Sequence, residues 1–257
     1  MAYNVSKVFF SPGGTCARVA DLISKNISED SKTINLLTAP PENELQFGAN
    51  DVLIVALPVF IGRIPAKTLS LLNMLKGNGA YAIISAVYGN RAYDDALLEL
   101  SDILQGNGFT IAGASAIIAA HSMFPRVAKG RPDKSDVTKI DEFAKKAFEI
   151  VKRKEQGRIS VPGNRPYKEL TNKKLPIALK TSNECNDCKA CAKICPENAI
   201  PIENPRITDA TKCNNCTACI YVCPQGARKF SGLGYTTISA IFRRMCTKRL
   251  EPEFFYI

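Results

Sequence analysis

Two runs of cysteine carry the most evident chemistry in this chain. The first reads C-N-D-C-K-A-C-A-K-I-C-P from Cys185 to Pro196, and the second C-N-N-C-T-A-C-I-Y-V-C-P from Cys213 to Pro224. Both have the spacing C-x2-C-x2-C-x3-C-P. Four thiolates are what one cubane iron–sulfur cluster requires, and eight serve two. The first three cysteines of each run fall on a tight loop where sulfurs can converge. The proline after the fourth ends the ligand turn, because it has no N–H to continue it. Two other uses of cysteine compete with this reading. Zinc sites employ C-x2-C pairs, but seldom four thiols in this graded spacing. Disulfides need an oxidising compartment. Met1-Ala2-Tyr3-Asn4-Val5 leads straight into a strand pattern rather than a secretory leader. The expectation is a reducing cytoplasm, that of an anaerobe.

Over residues 183–230 the chain resembles the bacterial two-cluster ferredoxins. The resemblance implies crossed ligation, in which the fourth cysteine of each run reaches the other cluster. Cys185, Cys188, Cys191 and Cys223 then hold one cluster, and Cys213, Cys216, Cys219 and Cys195 hold the second.

A second stretch, at the other end of the chain, has the residue types of an anion site. Val5-Ser-Lys-Val-Phe-Phe-Ser11 reads as a strand, and Ala17–Ile23 has a helical pattern. Between them lies Ser11-Pro12-Gly13-Gly14-Thr15-Cys16. A strand, a small-residue turn and a helix start aim backbone N–H groups and the positive end of a helix at a phosphate. Ser11 and Thr15 add hydroxyl donors. The turn is not G-x-G-x-x-G, so a dinucleotide is not implied. An ordinary strand–helix turn would use similar small residues.

The elements that must position this turn lie along residues 33–154. Strand patterns recur at Thr33–Leu37, Asp51–Leu57, Ala80–Val87 and Phe109–Ala119, with helical patterns near Ala66–Leu75, Tyr93–Gln105 and Ser135–Lys154. The strands are near-continuous apolar runs, as expected when both faces are covered. Five such strands with crossover helices predict an α/β domain built on a doubly wound parallel sheet. A ligand belongs at the carboxyl ends of its strands. Three loops leave there: Ser11–Cys16, Pro58–Pro65 and Tyr88–Tyr93.

Residues 3–154 resemble the flavodoxins, which implies the strand order 2-1-3-4-5 and bound FMN. The first loop is similar to the flavodoxin phosphate loop S-x-T-G-x-T, departing from it at Gly13 and Cys16, where threonine is usual. Fewer hydroxyls leave more of the phosphate binding to backbone donors. The second loop, Pro58-Val59-Phe60-Ile61-Gly62-Arg63-Ile64-Pro65, matches the loop that covers one flavin face. The third, Tyr88-Gly89-Asn90-Arg91-Ala92-Tyr93, matches the loop with an aromatic on the other face. By that match Phe60 and Tyr93 sandwich the ring, while Gly89 and Asn90 bring backbone donors to its polar edge. The alternative reading of both aromatics is a place in the core. Arg63 and Arg91 lie in the same loops, where a cation would stabilise reduced FMN, unless Arg91 pairs with Asp94 or Asp95.

Together, a flavodoxin-like domain and a small α+β two-cluster ferredoxin domain resemble the flavodoxin–ferredoxin fusion proteins of anaerobes. Gly130-Arg131-Pro132-Asp133 and Glu251-Pro252-Glu253-Phe254-Phe255 are also similar to that family. The division expected is residues 1–155 for FMN, 156–182 as an extended linker holding Pro162, Gly163, Pro166 and Pro176, 183–230 for the clusters, and 231–257 as a basic, aromatic tail whose helix packs on a domain. His121, the one histidine, follows the fifth strand on the flavin side. It reads either as a proton donor or as a strand-end cap. Cys16 reads as a small replacement for threonine, or as a thiol activated by the helix start. Cys246 has no cluster to serve and reads as a packed thiol, reactive if exposed.

The formal charge of +10 invites a nucleic-acid reading, and its distribution argues against one. Residues 1–155 carry 18 basic and 16 acidic side chains, and residues 156–257 carry 16 and 8. Two thiolate-bound clusters at about −2 each and a flavin phosphate at about −2 bring the holo-protein to roughly +4. The excess lies between Lys152 and Lys180 and between Arg228 and Arg249, a solvated or partner-facing surface. No apolar run is long enough to span a bilayer. The function expected is electron transfer between redox partner proteins, converting one-electron and two-electron supply. A homodimer is compatible with the sequence. A flavin-dependent reductase with a substrate pocket after His121, and a redox sensor working through the basic tail, are the other readings.

Overall fold

The computed structural model describes residues 3–169 and 177–257; Pro176 of the expected linker lies outside them. The first part of the chain folds as β1 (Asn4–Phe9), α1 (Thr15–Ser24), β2 (Ser31–Asn35), β3 (Leu45–Gln46), β4 (Asp51–Pro58), α2 (Ala66–Asn73), β5 (Leu75–Lys76), β6 (Tyr81–Tyr88), α3 (Ala96–Gly106), β7 (Thr110–Ile118) and α4 (Lys134–Lys152). β1, β2, β4, β6 and β7 form the parallel sheet in the order β2-β1-β4-β6-β7. Apart from the two-residue pair β3 and β5, which makes its own small sheet, this is the 2-1-3-4-5 order of the flavodoxin-like doubly wound fold. β4 and β6 are apolar along nearly their whole length because both faces are covered. α1 turns Cys16, Val19, Ala20 and Ile23 inward at helical spacing. With α4 it closes one face of the sheet, while α2 and α3 close the other.

The sheet has a sixth strand that the five-strand reading does not contain. β10 (Glu253–Tyr256) lies antiparallel along β7, with Glu253 opposite Ala116 and Tyr256 opposite Gly113. An unpaired strand edge is an open row of backbone donors and acceptors, and the aromatic run after Pro252 satisfies it. Alternation sends Phe254 and Tyr256 to the α4 face and Phe255 and Ile257 to the other. Phe254 stacks on Phe143 with centroids 5.0 Å apart. The tail therefore holds both a helix and an edge strand.

The remaining residues form a small α+β unit. β8 (Ala178–Thr181) pairs antiparallel with β9 (Arg228–Ser231), and between them lie the short helices α5 (Ala190–Lys193) and α6 (Ala218–Tyr221). Its two halves repeat 28 residues apart, as Cys185 does at Cys213. Left-handed backbone recurs in register at Asp187 and Asn215, Lys189 and Thr217, and Asn198 and Gly226. α7 (Leu233–Met245) then leads to β10.

The described part of the expected linker, residues 156–169, has no helix or strand and is fastened along the α/β domain. Ile159 joins the core. The Asp95 carboxylate accepts from the backbone N–H groups of Asn164 and Lys168, at 2.8 and 2.6 Å. Burial alone would raise that carboxyl, but those two bonds and the Asn164 side chain bring it below the usual range. Arg165 and Tyr167 both reach Asp102.

Truncating Phe254 removes both its stack on Phe143 and a plug over the α4 face. Phe254→Ala is expected to destabilise the α/β domain by about 2–3 kcal/mol and Phe254→Leu by about 1 kcal/mol, measured by urea unfolding. Equal midpoints for the alanine variant and the unaltered protein would show that β10 adds nothing to the sheet.

Candidate functional site

The first loop keeps the form of an anion cradle. Gly14 caps α1 in the left-handed region, at φ 81°, with no side-chain cap. The Ala17 N–H donates to Ser11 Oγ at 3.0 Å, and the Arg18 N–H to the Gly14 carbonyl at 3.1 Å. Among the described residues, the Thr15 and Cys16 N–H groups, the first of the helix, have no acceptor. No acidic side chain stands in the first turn. These are the features a phosphate requires. Pro12 and Gly13 complete the turn. The Cys16 thiol is fully buried, and burial raises it far above its ordinary value. It is the packed replacement for threonine, not an activated thiol.

The second loop folds back on itself between Phe60 and Arg63, whose backbones exchange hydrogen bonds of 2.8 and 3.1 Å. Pro58 ends β4, Val59 packs on the core, and Gly62 (φ 88°) and exposed Ile61 (φ 54°) form the tip. Phe60 is half-buried, edge-on to Phe10 at 6.4 Å. Ile61 is the exposed apolar side chain of this loop. Arg63 makes two bonds to the buried Glu99 carboxylate, 2.7 and 2.5 Å, and a third to the Lys168 carbonyl.

The third loop departs from its expected role. The Tyr93 ring is buried against Tyr88, 5.4 Å away, and its hydroxyl donates to Glu253 at 2.7 Å. Burial first, and then the Glu253 carboxylate, raise its phenol well above the ordinary value. Tyr93 is thus a core aromatic covered by the tail, and it does not present a face for stacking. The Asn90 side chain donates to the carbonyls of Cys246 and Lys248, at 3.1 and 2.8 Å, and accepts from the Leu250 N–H. Arg91 pairs with Asp94. Both loop arginines therefore carry their own carboxylate partners, and neither is a spare charge for a reduced ring.

His121 lies where the sequence places it, after β7, but is turned into a packed cluster. Its ring contacts Phe124 and Phe242, with centroids 4.9 and 5.0 Å away. Nδ1 accepts from the Met123 and Phe124 N–H groups at 3.2 and 3.3 Å. Burial pushes the imidazole down to about 4. It is a neutral loop cap, with its proton on Nε2, and not a proton donor poised at neutral pH. A side chain at Gly89 would have its Cβ 2.4 Å from His121 Cδ2, so the third loop needs glycine there. Cys246 packs with Phe124 and Val127 and is buried.

The cluster unit meets these loops. A Cβ on Gly13 would stand 3.3 Å from the Tyr221 ring and 3.7 Å from the Ser122 Cβ. Tyr221 lies between the third and fourth cysteines of the second run. Nothing in its type or spacing announced this contact. α7 continues the packing: the Tyr235 hydroxyl donates to the Met123 carbonyl at 2.9 Å, and its ring stacks on Phe124 and Phe230.

The structure brings Cys195 together with Cys213, Cys216 and Cys219. These four line one cavity, together with Ile200, Phe230 and Leu179. Burial pushes the Cys216 thiol up to about 12 and Cys219 to about 11, so thiolates there need a compensating cation. The Ala199 N–H donates to Cys195 Sγ and the Ala227 N–H to Cys223 Sγ, each at 3.3 Å. In the first set, Cys191 is buried, Cys188 exposed, and Cys185 and Cys223 intermediate. Arg228 is 2% exposed, and its Nε has no partner. A buried cation without a carboxylate fits an anionic group beside it. A single zinc ion would need thiolates gathered to about 2.3 Å from one point. No three described cysteine, histidine or carboxylate side chains are so arranged. The cysteine spacing and the buried Arg228 charge fit an anionic iron–sulfur cluster. For FMN the phosphate cradle fits and the Tyr93 stack does not. No helix among the described residues is long and apolar enough to cross a membrane.

Residues 184–227 match the family model of the 4Fe-4S dicluster domain. No curated protein matches the chain. Among solved structures, a flavodoxin from Streptococcus pneumonia TIGR4 is 16% identical with a TM-score of 0.41, and the match covers 56% of this chain and 97% of that one. A flavodoxin from the domain Archaea is 16% identical with a TM-score of 0.41, over 58% of this chain and 99% of that one. A Fusobacterium nucleatum flavodoxin mutant bound to flavin mononucleotide is 16% identical with a TM-score of 0.42, over 60% and 97%. The strand order carries the fold assignment, and these likenesses add no weight to it.

Two outcomes are expected. Cys195→Ser is expected to cost iron and absorbance from the site of Cys213, Cys216 and Cys219 more than from that of Cys185, Cys188 and Cys191, as read by iron content and Mössbauer or EPR signals. Loss confined to the first run's own site would show uncrossed ligation. The histidine ring resonances, a single set because His121 is the only histidine, are expected not to shift between pH 8 and 5.5. The folded imidazole titrates near 4 while an unfolded one titrates near 6.5. The unfolded chain then binds the extra proton in that window, so His121 contributes stability that falls as pH drops from about 6.5 towards 4.

Proposed function

We propose that this chain, which joins a flavodoxin-like domain to a 4Fe-4S dicluster segment as the flavodoxin–ferredoxin fusion proteins it resembles do, is an electron carrier coupling two [4Fe-4S] clusters to FMN. When bound, each cluster exchanges one electron and FMN one or two, so the set converts between single and paired transfer. The observation that carries this reading is the contact of Tyr221 with the first loop. It brings the segment between Cys219 and Cys223 onto the turn that would hold the flavin phosphate. An electron path between the two kinds of cofactor requires such an approach, and independent carriers do not.

The chain's own residues serve the carrier in definite ways. The Thr15 and Cys16 N–H groups and the start of α1 would hold the phosphate. Ile61 and Phe60 offer the apolar cover on one side. Asn90 fixes residues 246–250 over the third loop. Packing of Tyr235 and Phe242 against His121 and Phe124 fills the place where a substrate pocket after His121 would lie. That packing favours a carrier over a reductase of a small substrate. The excess of basic side chains in residues 156–257 suits acidic redox partner proteins. The cysteine chemistry suits a reducing cytoplasm.

With dithionite in a stopped flow, the clusters are expected to be reduced first, and flavin reduction to follow at a rate independent of protein concentration. A rate proportional to protein concentration would mean that electrons pass between molecules. Failure of the purified chain to retain FMN would remove the flavin from the proposal.

A further inference from the structure

We propose that Arg228 is a countercharge shared by the two cluster sites, holding both at a higher potential than either would have without it. The inference rests on the two-cluster reading above.

The 28-residue repeat locates this residue. Cys191 of the first run and Cys219 of the second are equivalent positions, 28 residues apart. Both lie in the small core of the unit, with Ala192 and Ile200. The Arg228 guanidinium reaches both. Its Nη1 lies 3.7 Å from Cys191 Sγ, and the Cys219 thiol is within its hydrogen-bonding reach. Nη2 donates to Thr208 Oγ1, and Thr208 lines the cavity of Cys195, Cys213, Cys216 and Cys219. In the crossed grouping Cys191 belongs to one site and Cys219 to the other. A group that touches equivalent cysteines of two repeated halves stands between the sites rather than beside one of them.

The fold of the unit does not by itself call for a charge at this depth. The equivalent position in the first half is Ile200, which is also buried. Arg228 is 2% exposed and is the one buried charged side chain among the described residues of 177–257. Nη1 donates to the Pro205 carbonyl at 2.5 Å, so both of the oxygens it meets, with Thr208 Oγ1, are neutral. Nε has no partner, and no carboxylate among the described residues pairs with the guanidinium. A guanidinium keeps its charge on burial, and burying it against neutral oxygens alone is unfavourable. Anionic clusters on its two sides supply the missing countercharge.

The electrochemical consequence comes from charge. A thiolate-ligated cubane goes from about −2 to about −3 when it takes one electron from a one-electron donor such as dithionite. A buried cation stabilises the more negative state more, so it raises the potential of any cluster close to it. Arg228 is close to both. A fixed charge acts on each cluster separately and leaves their mutual repulsion as it was. Its signature is therefore a common shift of both steps, with the separation between them unchanged. An arginine that only held Pro205 and Thr208 in place would move neither.

The test is a mediated redox titration of the full-length holo-protein, followed by EPR, with iron and sulfide counted first. Eight irons per chain and uptake of two electrons by the clusters are expected. Arg228→Gln removes the charge and retains a donor. At a fixed potential it is expected to lower the reduced-to-oxidised ratio of both clusters at least tenfold, which is about 59 mV for one electron. Arg228→Lys is expected to keep both steps above those of Arg228→Gln. Thr208→Val, which removes an acceptor and no charge, is expected to leave both in place. A shift of one step alone in Arg228→Gln, or of neither, would overturn the inference, as would an equal fall of both in Thr208→Val. Should every Arg228 variant lose its iron, Thr208→Asp decides it by setting a carboxylate on the guanidinium. A fall of both steps there supports the shared charge, and a step that stays in place overturns it. Fewer than eight irons in the unaltered protein is the failure of the two-cluster reading and takes the inference with it, whereas eight irons with an unmoved step overturns the inference alone.

Discussion

The pairing of β10 with β7 is the interaction on which the arrangement of this molecule depends. A parallel sheet built in the order 2-1-3-4-5 leaves its last strand open along one side, and backbone groups there need partners. The chain supplies them from residues 253–256, far beyond the helix that completes the α/β domain. To reach that edge, the chain passes over the carboxyl ends of the strands. Asn90 catches it at residues 246–250, Glu253 meets Tyr93, and Phe254 settles on Phe143. The same pairing restricts where the cysteine-rich unit lies, because α7 and residues 246–252 tie that unit to the edge.

The other anchor is the stretch before the cysteine-rich unit. Asp94, Asp95 and Asp102 face Lys168, Asn164, Arg165 and Tyr167, while Glu99 holds Arg63. Several of these are exposed pairs worth little one by one. The bonds to Asp95 count for more, since that carboxylate is buried and takes two backbone N–H groups. Acidic side chains of the α/β domain thus hold the connecting stretch rather than the cluster unit itself. The contact between Tyr221 and Gly13 is then a consequence of two fixed ends.

Much of this was legible before any coordinates. Unbroken apolar runs such as Asp51–Leu57 and Ala80–Val87 announce buried parallel strands, and the repeated cysteine spacing announces the ligand loops. The crossed grouping of Cys195 with the second run comes from a rule about the fourth cysteine and reappears in the lining of one cavity. The side chains at the flavin loops were less legible. Tyr93 and Arg91 have the types a flavin loop uses, yet one is covered by Glu253 and the other neutralised by Asp94. Sequence shows which types stand in a loop, but a partner 160 residues away decides which way Tyr93 faces. β10 was hidden for a related reason. Glu253–Tyr256 is too short to show a period, and its partner edge is not marked in sequence. The short aromatic run after Pro252 was the available signal.

The double anchoring also decides how the chain would respond to loss of iron from its cysteine-rich unit. The cysteine-rich unit has a small core of its own, and without iron its buried thiols have little to hold them together. Yet it is bounded by Lys168 on one side and Leu250 on the other, both fastened to the α/β domain. An unravelled stretch of roughly 80 residues between fixed points costs on the order of 4 kcal/mol of closure entropy, and that cost grows only with the logarithm of length. The sheet can therefore keep its last strand while the inserted unit melts. Iron loss would leave a folded flavin-type domain carrying a long closed loop, and refilling that loop with metal would restore the unit without refolding the rest.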